Sequence, residues 1–133
     1  YSIGYFTKFG DGSADLLPIS KLYKTQLREF AKMLGVPNNI ITKKSSPNLW
    51  KEHIAEDELG ITFEEIDSIL YCLEKRLSVD EIIKKTEIKR ESVEKIYQMH
   101  ENSWHKRLPP KMVVENMDEI NKLISRMEND ANI

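Results

Sequence analysis

The sequence predicts a mostly α-helical chain, on three observations. Apolar residues recur three and four apart through much of the chain beyond residue 20. Two stretches of this kind open on a Ser/Thr-x-x-Glu capping box. Four of the five glycines lie within the first 35 residues, which gathers the turn-forming backbone at the N-terminal end.

In chain order, residues 8–15 read as a turn-rich loop, because Gly10 and Gly12 supply unusual backbone angles and Asp11 and Asp15 support local turns. Leu16-Leu17-Pro18-Ile19 reads as a short extended piece, with Pro18 restricting it to an edge or an end. A helix follows, with Ser20 as N-cap, Tyr23, Leu27, Phe30, Ala31 and Leu34 on one face, and Gly35 with Pro37 as the stop. A short helical turn is expected after Pro37. Residues 43–60 show no periodicity and read as a long loop of the kind that often carries function. Thr62 and Glu65 form the first capping box, ahead of an apolar face of Phe63, Ile66, Ile69, Leu70 and Leu73. Ser78 and Glu81 form the second, opening a short helix. Val93, Ile96, Tyr97, His100 and Trp104 stripe the next helix, which runs into His105-Lys106-Arg107 before Pro109-Pro110. Val113, Met117, Ile120, Ile124 and Met127 mark a last amphipathic helix with a narrow seam, too short for a coiled coil.

The bulk numbers narrow the class of protein. A chain of 133 residues suits one compact domain, and 40% hydrophobic with 32% charged residues fits a soluble globular protein. A net charge of −2 gives the whole chain no pull toward nucleic acid or anionic membrane. Cys72 is the only cysteine, so an intrachain disulfide is impossible and a reducing compartment is the natural setting. With no membrane-length apolar run and no signal-peptide pattern, the chain reads as cytoplasmic. It begins at Tyr1 rather than at Met, in what reads as the middle of a domain.

Read from residue chemistry alone, several segments offer a ligand something. Lys8, Asp11 and Asp15 set one cation and two carboxylates among glycines, although a solvated turn has the same composition. Lys24 falls in a first helical turn, where a cation is disfavoured unless an anion binds too. His105, Lys106 and Arg107 suit a helix C-terminus and need no ligand to explain them. His53, His100 and His105 have no zinc-like spacing with Cys72 or one another, and His100 reads as a packed core histidine. Neither a dinucleotide fingerprint nor a GxxxxGK[ST] loop is present. Residues 78–107 have the outline of a helix-turn-helix DNA reader, but their acidic and basic residues nearly balance, where phosphate contact needs clustered cations. A DNA-binding regulator and a helical interaction module using the 113–127 seam are thus the two alternative functions.

Taken together and in order, the motifs resemble those of the ammonia-dependent NAD synthetases. Residues 4–15, GYFTKFGDGSAD, are similar to that family's GYFTKYGDGGAD, and Leu17-Pro18 with Leu22-Tyr23-Lys24-Thr25-Gln26 to its LP…LYKTQ. Leu34-Gly35-Val36-Pro37, Glu56-Asp57-Glu58-Leu59-Gly60-Ile61 and His105-Lys106-Arg107 with Pro109-Pro110 continue in the same register. The likeness covers residues 1 to about 110, leaving 111–133 as a helical tail. It implies that the chain is the C-terminal part of a single synthetase domain. The full enzyme would have the doubly wound α/β fold of the ATP pyrophosphatases, with its nucleotide-binding strands upstream and this part mostly helical.

The activity implied is amidation of deamido-NAD by ammonia, driven by ATP through an adenylated carboxylate, giving NAD, AMP and pyrophosphate. A homodimer is implied as well. By position, Lys8, Asp15, His105 and Lys106 resemble the deamido-NAD contacts, and Lys24 and Ser46 the ATP contacts. No residue of this chain matches a catalytic nucleophile or a metal ligand of the family. Mg²⁺ is implied with its main ligands upstream of Tyr1, as is the SGGxDS pyrophosphate loop. Two departures stand out: Ser13 replaces a usual glycine, and Asn48-Leu49-Trp50-Lys51-Glu52-His53-Ile54 replaces GLWxGQT, so the Gly-Gln-Thr is lost.

Overall fold

Helix α4 (Phe63–Glu74) is the axis of the molecule, with one helix before it and two after it packed against it. The computed structural model describes residues 1–10, 12–109 and 116–130. Before α4 come α1 (Lys24–Met33), α2 (Asn38–Ile41) and α3 (Ala55–Leu59). After it come α5 (Val79–Thr86), α6 (Arg90–Asn102), a 3₁₀ turn (Trp104–Arg107) and α7 (Met117–Asp130). Among the described residues there is no strand, so this part of the fold is helical as expected.

Both capping boxes form. Thr62 Oγ1 accepts from Glu65 N at 3.3 Å while Glu65 accepts from Thr62 N at 3.1 Å, and Ser78 with Glu81 repeats the arrangement. Starting there, α4 buries Ile66, Ile69, Leu70 and Cys72, α5 buries Ile82, and α6 buries Val93 and Ile96. These side chains meet in one core together with Ile3, Leu59, Ile61 and Ile88. Ile69, Ile82, Val93 and Ile96 are shut off from solvent completely, each removal from water stabilising the fold by roughly 1.5–3 kcal/mol.

Helix α1 packs on α4 but buries none of its own residues. It begins later than the sequence suggests. Ser20 belongs to a turn closed onto Leu17 O, residues 18–21 turn rather than extend, and Tyr23 is the N-cap. A reciprocal bond from Tyr23 N to Gln26 Oε1 (3.0 Å) explains the shift, joined by a distant carboxylate: buried Asp67 accepts from Thr25 N at 2.8 Å. The helix then stops as expected, with Gly35 left-handed (φ 74°).

The long segment 43–60 is only partly a loop. Its last residues form α3, which carries three acids in its first turn, where the helix dipole favours them, and ends on left-handed Gly60. The histidine stripe also needs correction. His100 is half-buried and its Nδ1 lies 2.9 Å from Ser2 O, so it binds the N-terminal segment instead of filling the core. Trp104 leaves the α6 stripe for the 3₁₀ turn and is half exposed. On α7, Met117, Ile120, Ile124 and Met127 are all exposed, while Val113 of the expected seam lies outside the described residues.

Candidate active-site loops

Two loops meet beside the helical core, one running from residue 1 to 15 and the other from 43 to 54. The first is folded back on itself by backbone bonds from Gly10 N and Gly12 N to Thr7 O, and from Ser13 N to Gly10 O. Gly12 is needed there for room: a Cβ on it would sit 2.3 Å from Lys8 O. Gly4, left-handed at φ 69°, is pressed so close to the 3₁₀ turn that a Cβ would fall 2.1 Å from the Cβ of Ser103.

What draws this loop to the 3₁₀ turn is a set of cations aimed at backbone carbonyls. Lys106 Nζ donates to Gly4 O (2.7 Å) and Phe6 O (2.9 Å) and lies 5.5 Å from the Phe6 ring centre. In return, Lys8 Nζ donates to His105 O at 2.7 Å. Arg107 donates to Ser2 O (2.7 Å), Ser103 Oγ (2.8 Å) and His100 O (2.8 Å). The structure thus brings together Lys8, His105 and Lys106, which are about a hundred residues apart in sequence. The basic run does not simply decorate the end of α6, because it forms its own turn and fastens the N-terminal loop.

The remaining expected site residues stand apart from that group. Asp15 is exposed, and among the described residues no hydrogen bond or ion pair ties it to Lys8, His105 or Lys106. Asp11 lies outside the described residues. Lys24 Nζ sits 5.6 Å from the Phe63 ring centre, and the nearby α1 amide of Thr25 already holds the Asp67 carboxylate. Ser46 closes a small turn, accepting from Asn48 N at 3.0 Å and donating to Asn48 Oδ1 at 3.1 Å.

Between the two loops lies a cleft of roughly 370 Å³ lined by Tyr5, Phe6, Thr7, Pro47, Leu49 and Glu58. A roomier hollow of about 860 Å³ lies between α1 and α2, lined by Phe30, Met33 and Ile41 among others, but holds none of the expected site residues. Two residues of the smaller cleft's lining, Tyr5 and Glu58, belong to a cluster that sequence reasoning missed. Tyr5 donates its hydroxyl hydrogen to Glu58, His53 Nε2 lies 2.5 Å from Glu58 Oε2 and 3.3 Å from the Tyr5 oxygen, and Trp50 stacks on the His53 ring. The Tyr5 hydroxyl and then the His53 ring hold Glu58 below the ordinary carboxylate range. Burial, followed by the bond to Glu58 and that carboxylate's charge, pushes the Tyr5 phenol up to about 12. Among the described residues no three His, Cys, Asp or Glu side chains gather to hold a metal, and no helix is long and apolar enough to cross a membrane.

A model of the NAD synthase family matches residues 1–110. The chain is 54% identical over 110 residues to the NH(3)-dependent NAD(+) synthetase of Hyperthermus butylicus, covering 81% of this chain and 40% of that protein. It is 52% identical over 111 residues to the enzyme of the same name from Saccharolobus solfataricus, covering 83% and 40%. The chain therefore spans about 40% of the length of these curated relatives. Among solved structures, the NMN synthetase from Francisella tularensis superimposes with a TM-score of 0.65 at 38% identity, over 87% of this chain and 42% of that one.

Proposed function

This chain belongs to the NAD synthase family, and on that premise we propose that it supplies substrate-holding loops of an ammonia-dependent NAD synthetase. The reaction is amidation of deamido-NAD: ATP adenylates the nicotinate carboxylate, ammonia displaces AMP, and NAD, AMP and pyrophosphate result. A carboxylate is a poor acyl donor until one oxygen becomes a good leaving group, so the protein's task is to position reactants and balance phosphate charge.

The observation that carries this reading is the junction of Lys8, His105 and Lys106. Three residues of the proposed deamido-NAD set arrive from opposite ends of the chain where the N-terminal loop meets the 3₁₀ turn. Lys8 gives one of an ammonium's three hydrogens to His105 O, which leaves two for an anionic ligand. Lys106 gives two to the Gly4 and Phe6 carbonyls, so its part is to shape the loop. Asp15 completes the proposed dinucleotide contacts, and Lys24 and Ser46 are proposed for ATP. Mg²⁺ would offset phosphate charge; among the described residues no three His, Cys, Asp or Glu side chains gather to hold it, so no step here runs through it. A cytoplasmic homodimer without nucleic-acid partners belongs to the same proposal.

In the full-length protein, Lys8→Ala should raise the KM for deamido-NAD roughly 10- to 100-fold, the equivalent of a lost charged hydrogen bond. Lys24→Ala should act mainly on the KM for ATP. A second reading is favoured by the likeness to an NMN synthetase. NMN is the amide of nicotinate mononucleotide, so parallel assays of that acid and of deamido-NAD decide the substrate. A larger kcat/KM for the mononucleotide would replace the first reading with the second.

A further inference from the structure

We propose that His53 is a positioning residue that clamps the 43–54 loop to the N-terminal loop through Glu58 and Tyr5. Its side chain is buried although its neighbours on both sides, Glu52 and Ile54, are exposed and half-buried. A carboxylate only accepts, so the hydrogen of the 2.5 Å contact sits on His53 Nε2 and points to Glu58. The same Glu58 oxygen accepts from the Tyr5 hydroxyl. One carboxylate on α3 thus joins a residue of each loop, 48 positions apart in sequence.

Three further features show that the loop is shaped around this contact. Trp50 covers the imidazole face to face, with ring centres 3.4 Å apart and planes 12° from parallel. His53 Nδ1 is buried without a hydrogen-bond partner, a loss that the Nε2 contact and the stacking offset. Asn48 and Glu52, on either side of Trp50 and just before His53, hold left-handed angles (φ 54° and 60°) that residues other than glycine rarely adopt. Apart from the clamp, what ties this segment down is largely backbone: Ala55 N to Ser45 O at 2.9 Å and His53 N to Trp50 O at 3.3 Å.

The consequence for chemistry rests on the reading of Ser46 as an ATP contact and of the N-terminal loop as a deamido-NAD contact. Under that reading the clamp holds the two substrate loops in register. The clamp itself stands on geometry alone and is tested without substrate. Lys43, Lys44 and Lys51 are exposed trypsin sites on the loop, whereas Lys84, Lys85 and Lys95 report on the helices.

In the full-length protein without ligand, His53→Ala should be cut roughly tenfold faster after Lys44 and Lys51, with the helical sites and the melting temperature little changed. His53→Gln, whose amide can still donate to Glu58, should restore slow cleavage. Tyr5→Phe, which removes one hydroxyl and keeps the ring, should speed loop cleavage less than His53→Ala. Unchanged cleavage in His53→Ala overturns the clamp. So does cleavage that rises equally at the helical sites, since His53 would then be ordinary packing. Faster loop cleavage with an unchanged KM for ATP supports the clamp and counts instead against Ser46 as an ATP contact.

Discussion

The helical half and the loop half of this protein are held together by different physics. From Ile61 to Ile96 the contacts that matter are apolar: Ile66, Ile69, Ile82, Val93 and Ile96 exclude water from one core. Between Tyr1 and Leu59, where Ile3 and Leu59 reach the same core, cations on carbonyls add a second kind of tie. Lys106, Lys8 and Arg107 fasten the first loop, and Lys95 on α6 reaches back to Leu59 O at 2.5 Å. Apolar burial is insensitive to direction, while a cation–carbonyl bond works only at a set distance and angle. Loops built in the second way can present donors at fixed places, and they can come loose without unfolding the helices.

The sharpest test of that division is on the apolar side. Ile69→Ala should lower stability by about 2–5 kcal/mol, since Ile69 is fully buried where α4 meets the other helices. Chemical denaturation should show a single weakened transition for the helices. If the cost is well under 2 kcal/mol, the core is looser than its packing implies and the contrast fails.

On the polar side, Lys106→Met keeps the aliphatic length and removes both carbonyl bonds, at a cost of about 1.5–3 kcal/mol. That loss should appear as faster amide exchange and proteolysis in residues 1–15, with the helical melt almost in place. A matching fall in helical stability would show that the two halves are one cooperative unit.

A smaller effect of opposite sign is expected at Glu52. This residue is exposed and left-handed, so Glu52→Gly should stabilise the 43–54 loop by about 1 kcal/mol. Slower tryptic cleavage after Lys51 in the variant is the measurement, and unaltered cleavage would mean the bend carries no strain.

The smallest effect concerns acid. The hydroxyl and amide of Ser78 hold the Glu81 carboxylate below its ordinary range. Its folded value lies under its unfolded one, so its stabilising part is complete above the ordinary carboxylate range and fades as pH falls through the folded value. Glu81→Gln should therefore flatten the acid limb of the helical stability curve slightly while leaving neutral pH little changed.

What could be read from sequence tracks the range of the interactions. The starts of α4 and α5 were legible because Thr62–Glu65 and Ser78–Glu81 meet within one turn of chain. The start of α1 was misread at Ser20, for its cap draws on Asp67, 42 residues away. Helix α3 was too short to show periodicity, although Glu56-Asp57-Glu58 followed by Gly60 was a local trace of it. The family motifs led to Lys8, His105 and Lys106, and the structure brings these three together. They carried no sign that Lys106 grips Gly4 and Phe6, nor of the Tyr5–His53–Glu58 cluster, whose members meet only once both loops are folded. The one visible trace was His53 standing where the family pattern has glutamine.

The placement of the two tryptophans gives the molecule a built-in optical division. Neither ring lies in the core. Trp50 rides on the 43–54 loop against His53, and Trp104 sits in the 3₁₀ turn edge-on to His105, with ring centres 6.3 Å apart. Intrinsic fluorescence therefore reads the loops, each indole beside an imidazole able to quench it, while far-ultraviolet circular dichroism reads the helices. Within these 133 residues, replacing either tryptophan by phenylalanine leaves a single indole on a known loop. Without any added label, the two spectroscopies can follow the opening of the loops apart from the melting of the core.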